Sequence, residues 1–123
     1  MKRIVLQIIL LSFIFSFTSC EGQETFGEKY LQLSKMIVLP NVKGRIDHLD
    51  VNIKDQVVYM AALGNNSLEI VDLKNGKIVH SIQGLDEPQG VGYITQTNEI
   101  FVANGGSGDC YFYNASTFEK TAT

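Results

Sequence analysis

The sequence lacks the residues that several common functional sites require. It has only two histidines and two cysteines, and the cysteines are far apart. A structural zinc site takes four ligands, usually Cys and His, so the sequence does not predict one. There is no Cys-x-x-Cys-His motif for attaching haem. We therefore predict no metal site, no cofactor and no catalytic set of residues.

Basic residues are also few. The chain has 10 Lys and Arg against 13 Asp and Glu, a net charge of −3, and two of the basic residues are Lys2 and Arg3 in the N-terminal leader. A protein that binds nucleic acid presents clustered Lys and Arg on one face. Nucleic acid is therefore not an expected partner.

Short apolar runs between turn residues predict an all-β fold, and no stretch has the period of a helix. Residues 57–73 have the pattern of a strand, a Gly-Asn-Asn turn and a second strand. A related unit follows 42 residues later, at residues 99–115. Few residues 42 positions apart are identical, so the repeat is recognised from the placement of apolar residues and turns. This period, with several strands in each unit, is typical of propeller blades.

Each unit is predicted to contain four strands joined by short turns. The first unit has strands at 49–53, 57–62, 67–73 and 77–82. The second has strands at 91–95, 99–104 and 109–114, with a fourth under way at the end of the sequence. Residues 36–39 are predicted to form a separate outer strand ahead of both units. On the strand at 57–62, alternation gives both faces apolar residues.

The first residues have the pattern of a secretory signal. Lys2 and Arg3 precede a mostly apolar run at residues 4–17. This run is shorter than the about 20 apolar residues that a membrane-spanning helix needs. Thr18-Ser19-Cys20 resembles a bacterial lipobox, with Phe17 departing from its usual aliphatic residue. The alternative is an ordinary signal peptide with an incidental cysteine.

The lipobox resemblance implies a signal peptide at residues 1–19 and a lipid on Cys20. Residues 20–35 would then form a lipidated tether. The predicted location is the bacterial cell envelope, lipid-anchored on the periplasmic face or at the cell surface. The membrane is thus one expected partner, through the acyl chains.

Asp47 and His48 are the most reactive-looking pair in the sequence. Neighbouring residues on a strand point to opposite faces, so they are not expected to act jointly. A turn Asp and a hydrogen-bonded His are the simpler interpretation. His80 is placed on an outer strand, with Asp86 and Glu87 as its only nearby ligand-type residues.

Other candidates have simple structural interpretations. The glycine-rich stretch at 105–108 lacks the Lys-Ser/Thr and helix of a phosphate loop, so it predicts a turn. Asp109, Asp72 and Glu69 lack calcium-loop spacing. Cys110 is expected to be buried, and the aromatic residues 111–113 are expected to lie mainly in the core.

Several motifs in register resemble the YVTN-family, YncE-like β-propeller proteins. The Tyr-Val-Thr-Asn motif corresponds to Phe-Val-Ala-Asn at 101–104 and more weakly to residues 59–62. Residues 66–72 resemble the third strand of a blade in this family, and residues 75–77 resemble the turn that follows it. Residues 44–49 and 87–91 resemble the segments that lead into the first strand of successive blades. The resemblance covers about residues 38–123.

The resemblance implies two four-stranded antiparallel blades and one N-terminal strand of an incomplete, seven-bladed β-propeller. This domain spans residues 36–123, with blades at about 46–83 and 88–123. An open β-meander and a ring of several copies remain alternatives to a fragment of a longer protein.

The implied function is a non-catalytic binding or scaffolding module for an unknown protein or small-molecule ligand. The alternative is a hydrolase of the gluconolactonase type with an axial metal. In either case four residues are candidates to face an axial ligand: Asp47, His48, Gln89 and Asn104.

Overall fold

The structure, a computed structural model, describes residues 31–123, so Cys20, the signal peptide and most of the predicted tether lie outside the described residues. Eight strands form two four-stranded antiparallel sheets. The first sheet contains β1 (Leu49–Asn52), β2 (Val57–Ala62), β3 (Ser67–Asp72) and β4 (Lys77–Gln83). The second sheet contains β5 (Pro88–Ile94), β6 (Glu99–Asn104), β7 (Cys110–Asn114) and β8 (Lys120–Ala122).

Both sheets are simple meanders in which each strand pairs with the next one along the chain. The prediction of an all-β fold with four strands in each unit is confirmed. Predicted and observed ends differ by up to three residues, as when β5 begins at Pro88 rather than at 91. A single turn of 3-10 helix, Leu63–Asn65, joins β2 to β3.

The two sheets repeat each other along the backbone. β2 and β6 each have six residues, and they begin 42 residues apart. Backbone positions with positive φ repeat at the same offset: Gln56 with Asn98, Asn66 with Gly108, and Gly76 with Phe118. Positive φ is costly for most residues other than glycine. The turn geometry is therefore repeated even where the side chains differ.

The hydrophobic core lies between the two sheets, where β5 packs against β1 and β2. The rings of Tyr59 and Tyr93 stack across this contact with centroids 5.4 Å apart. Seven buried residues form the core cluster: Tyr59, Leu68, Ile70, Leu85, Ile100, Val102 and Tyr113. On the other face of β2, Val58 and Ala62 are also buried, as the alternation predicts.

The predicted strand at residues 36–39 is wrong. These residues have no regular secondary structure, and Met36 and Val38 are 76% and 71% exposed. A strand is stabilised by hydrogen bonds to a neighbouring strand. Among residues 31–123, no strand pairs with this segment. An apolar run without such a partner does not form a strand.

Candidate functional site

The segment that enters β1, residues 44–48, is held firmly against the first sheet. The Asp47 amide donates to the carbonyl of Ala61 at 3.0 Å, and the Ala61 amide donates to the carbonyl of His48 at 2.9 Å. The Gly64 amide donates to the carbonyl of Arg45 at 2.9 Å. A Cβ at Gly64 would lie 2.6 Å from the Arg45 backbone nitrogen, so this approach requires glycine.

His48 contacts the second sheet. Its Nδ1 lies 2.7 Å from the backbone oxygen of Gln89, near the start of β5. A carbonyl oxygen can only accept a hydrogen bond, so Nδ1 carries the proton in this contact. In the neutral ring, Nε2 is then the nitrogen that accepts hydrogen bonds. The side chain is 67% exposed, so His48 offers a ligand an acceptor when neutral and a donor when protonated.

The Asp47 carboxylate lies between two basic side chains. Its Oδ2 is 3.5 Å from Nη2 of Arg45 and 3.8 Å from Nδ1 of His48. The expectation that Asp47 and His48 point apart is wrong, because β1 begins only at Leu49 and alternation applies within a strand. Exposed ion pairs contribute only about 0–1 kcal/mol. The Arg45–Asp47 contact can therefore be exchanged for a contact to a ligand at little cost.

Asn104, the fourth candidate from the sequence, has a different set of contacts. It is 3% exposed on β6. Its Oδ1 accepts a hydrogen bond from the Asp86 amide at 3.2 Å, and its Nδ2 donates to the Asp109 carbonyl at 3.4 Å. Asn104 thus joins the loop that contains Asp86 to the loop that contains Asp109. Gln89, by contrast, contributes its backbone carbonyl to the contact with the His48 ring.

His80 lies in a contact between the two sheets. Its ring stacks on that of Phe118 with centroids 4.5 Å apart and an interplanar angle of 13°. Phe118 adopts a φ of 61°, in the left-handed region that bulky residues seldom occupy. The stack packs the turn between β7 and β8 onto β4.

Cys110 is exposed, so the prediction that it is buried is wrong. It is the first residue of β7, and alternation places it on the same face as Phe112, away from the core residue Tyr113. Tyr111 packs against the core cluster. The stretch at 105–108 forms a turn, as predicted.

Ligand-type side chains do not gather into a metal site in the described part of the chain. No group of three or more His, Cys, Asp or Glu residues within residues 31–123 is placed to hold a metal ion. The same residues contain no helix long and apolar enough to cross a membrane.

Sequence reasoning missed the role of Asp50. Its Oδ1 accepts a hydrogen bond from the amide of Val51 at 2.8 Å, and its Oδ2 accepts one from the amide of Tyr93 at 2.7 Å. The carboxylate therefore links the first strands of the two sheets. The sequence does contain a sign of this role, because Asp50 is an acidic residue between the apolar residues Leu49 and Val51 of a predicted strand.

Among residues 31–123, three titratable groups have clearly shifted pKa values. Burial raises the pKa of Tyr59 above 10.0, and a hydrogen bond with Asn52 partly offsets this effect. Burial likewise raises the pKa of Tyr113. The pKa of Asp72 is lowered, first by the backbone amide of Asn75 and then by the amide side chain of the same residue. None of the three forms a hydrogen bond or an ion pair with His48, so these shifts report on the fold rather than on the candidate site.

No protein-family model matches this chain, and no curated protein is significantly similar to it.

Proposed function

We propose that residues 36–123 are part of a seven-bladed β-propeller of the YVTN type that acts as a non-catalytic binding or scaffolding module. The 42-residue repeat of β2 with β6, together with the repeated positions of positive φ, carries this proposal. Blades of such rings are four-stranded meanders that recur about every 40–45 residues. The side-by-side packing of β5 on β1 and β2 is consistent with two neighbouring blades.

The outer face of the second sheet supports the presence of further blades. Phe101 and Phe112 lie on this face, only half-buried, with ring centroids 6.5 Å apart. Their counterparts 42 residues earlier, Tyr59 and Ile70, are 2% and 1% exposed beneath the second sheet. Repeat units bury such faces against the next unit. A third sheet is the partner that this repeat requires.

We place the binding surface at the cluster of Arg45, Asp47 and His48, beside the Gln89 carbonyl. Arg45 supplies hydrogen-bond donors, Asp47 supplies acceptors, and neutral His48 supplies an acceptor at Nε2. Two of these side chains, Arg45 and His48, are 64% and 67% exposed. Such a mixed set suits a polar ligand or a peptide segment that offers both donors and acceptors.

Photo-crosslinking tests this placement. A photoreactive phenylalanine at position 48 (His48→benzoylphenylalanine) should give a defined adduct in cells that make the full chain. The same residue at Val79, which is 44% exposed on β4, is the matched control and should give none. Equal labelling at both positions, or none at position 48, would reject the binding surface.

The same proposal includes a lipid anchor on Cys20, supported by the lipobox-like sequence at residues 17–20. The chain contains a matched control, because Cys110 is its only other cysteine. Wild type and Cys110→Ser should incorporate an alkyne-labelled fatty acid and partition into detergent. Cys20→Ser should do neither. Retention of the label by Cys20→Ser would refute the anchor.

The hydrolase alternative gains no support from the geometry of its four candidate ligands. Asn104 is occupied in joining two loops, whereas Asp47 and His48 lie with Arg45. A direct assay still decides the question. Metal content and lactone hydrolysis of the full chain, measured with and without a chelator, should show no chelator-sensitive turnover. Chelator-sensitive turnover would establish the alternative.

A further inference from the structure

A second concave site lies between β1 and β5, at the opposite end of these strands from His48. It is a cavity of about 270 Å³. Six residues line it: Val51, Asn52, Ile53, Lys54, Tyr93 and Thr95. Pockets for drug-sized ligands begin at roughly 300 Å³. The volume therefore suits a smaller molecule, with a single ring or a short branched chain.

Two walls of the cavity are fixed by contacts to the rest of the fold. The ring of Tyr93 stacks on Tyr59, and its hydroxyl donates to Oδ1 of Asn98 at 3.0 Å. The amide side chain of Asn52 donates to Oδ2 of Asp55 at 2.8 Å, and its Oδ1 accepts from the Asp55 amide at 3.2 Å. A cavity with preformed walls loses little conformational entropy when it binds a ligand.

The remaining lining residues define the chemistry of a ligand. Val51 is half-buried, and Ile53 is 84% exposed, so together they offer an apolar surface that is open to solvent. Lys54 is the one charged residue in the lining, and within residues 31–123 it takes part in no salt bridge. The neighbouring Asp55 carboxylate is already bound to Asn52.

We propose that this cavity is a binding site for a small organic anion with an apolar body, such as an aromatic or branched aliphatic carboxylate. The apolar part packs against Tyr93, Val51 and Ile53, and the carboxylate pairs with the ammonium group of Lys54. This inference is independent of the binding surface at His48. It also stands whether or not the two sheets belong to a propeller.

Benzoate and benzamide are matched probes, because they have nearly the same shape and only benzoate is charged. Titration into the ¹⁵N-labelled full chain, followed by NMR, should give saturating shifts at residues 51–54, 93 and 95. The small size of the ligand limits the expected benzoate Kd to about 1 mM. Benzamide should bind at least about threefold more weakly, since it cannot pair with Lys54.

Variants separate this site from general surface binding. Lys54→Gln should weaken benzoate at least about threefold and leave benzamide unchanged. Lys43→Gln, at another exposed lysine, should bind both probes as wild type does. Ile53→Ser should weaken both probes and should fold as wild type does, because Ile53 is 84% exposed. Shifts that fail to saturate by about 20 mM, equal affinity for both probes, or equal effects of the two lysine variants would overturn the proposal.

Discussion

The Asp50 carboxylate accepts a hydrogen bond from the backbone amide of Tyr93 at 2.7 Å and so links the first strands of the two sheets. Its other oxygen accepts from the amide of Val51, the residue 42 positions before Tyr93. One side chain thus caps equivalent amides on both strands. The counterpart of Asp50 in the second sheet is Gly92, which has no side chain to repeat this link.

Replacement of Asp50 should destabilise the packing of the two sheets. In Asp50→Asn, the new NH₂ group faces one of the two amides, so a charged hydrogen bond is lost and two donors oppose each other. We expect a loss of about 1–3 kcal/mol in the free energy of unfolding, measured by urea denaturation. Asp109→Asn, at an exposed position, is the control and should change it by less than about 0.5 kcal/mol. Equal stability of the two variants would refute the linking role.

Gly64 and Gly106 are equivalent glycines with different surroundings. A Cβ at Gly64 would meet the backbone of Arg45 and Gly44 at 2.6–2.8 Å, whereas one at Gly106 would meet the Asp86 carboxylate. Backbone cannot move aside easily, but an exposed side chain can. Gly64→Ala should therefore cost about 1–3 kcal/mol of unfolding free energy, and Gly106→Ala should cost clearly less. Thermal unfolding measures the loss of stability in each variant. A larger loss in Gly106→Ala than in Gly64→Ala would contradict the close packing of Gly64 against residues 44–45.

Alkaline pH should weaken the fold through Tyr59 and Tyr113. Their pKa values in the folded protein lie above the ordinary 10.0 because of burial. Above pH 10.0 the unfolded chain therefore releases protons that the folded chain keeps, and the free energy of unfolding falls as the pH rises through this window. Denaturation midpoints from about pH 8 to about pH 11 measure the loss. Tyr59→Phe and Tyr113→Phe should each reduce the loss, and an unreduced loss in both variants would contradict this assignment.

The carboxyl group of Asp72, at the turn between β3 and β4, should titrate at an unusually low pH. The Asn75 amides lower the pKa of Asp72 below its ordinary 3.8. This carboxylate therefore stabilises the fold above pH 3.8, and its contribution is lost as the pH falls through the lower folded value. NMR titration of the carboxyl group should show a midpoint below 3.8, and Asn75→Ala should raise that midpoint. An unchanged midpoint in the variant would show that the side-chain bond from Nδ2 of Asn75 to Asp72 is absent.

Local signals in the sequence were sufficient to predict the strands. The turn at Lys74-Asn75-Gly76 specifies the β3–β4 hairpin through residues close in the chain, and the apolar run at 57–62 forms β2 with the predicted ends. The repeat was also visible, because turns and apolar positions recur at 42 residues. This information fixed the all-β class and the four strands of each unit.

Features that depend on the neighbours of a residue could not be predicted in this way. Residues 36–39 are as apolar as a strand, but no strand pairs with them in the described part of the chain. The exposure of Cys110 depends on which face of the second sheet is covered. The side chains of Asp47 and His48 lie close together because β1 begins only at Leu49, directly after His48. The ends of strands are the least certain part of a sequence-based prediction.

The defining feature of the fold is the side-by-side packing of two separate four-stranded sheets, with β5 against β1 and β2. An aromatic NOESY spectrum of the full chain tests it directly. We expect contacts between the rings of Tyr59 and Tyr93, whose centroids are 5.4 Å apart. Backbone contacts that pair β4 with β5 in one continuous eight-stranded sheet, without the Tyr59–Tyr93 contact, would contradict it.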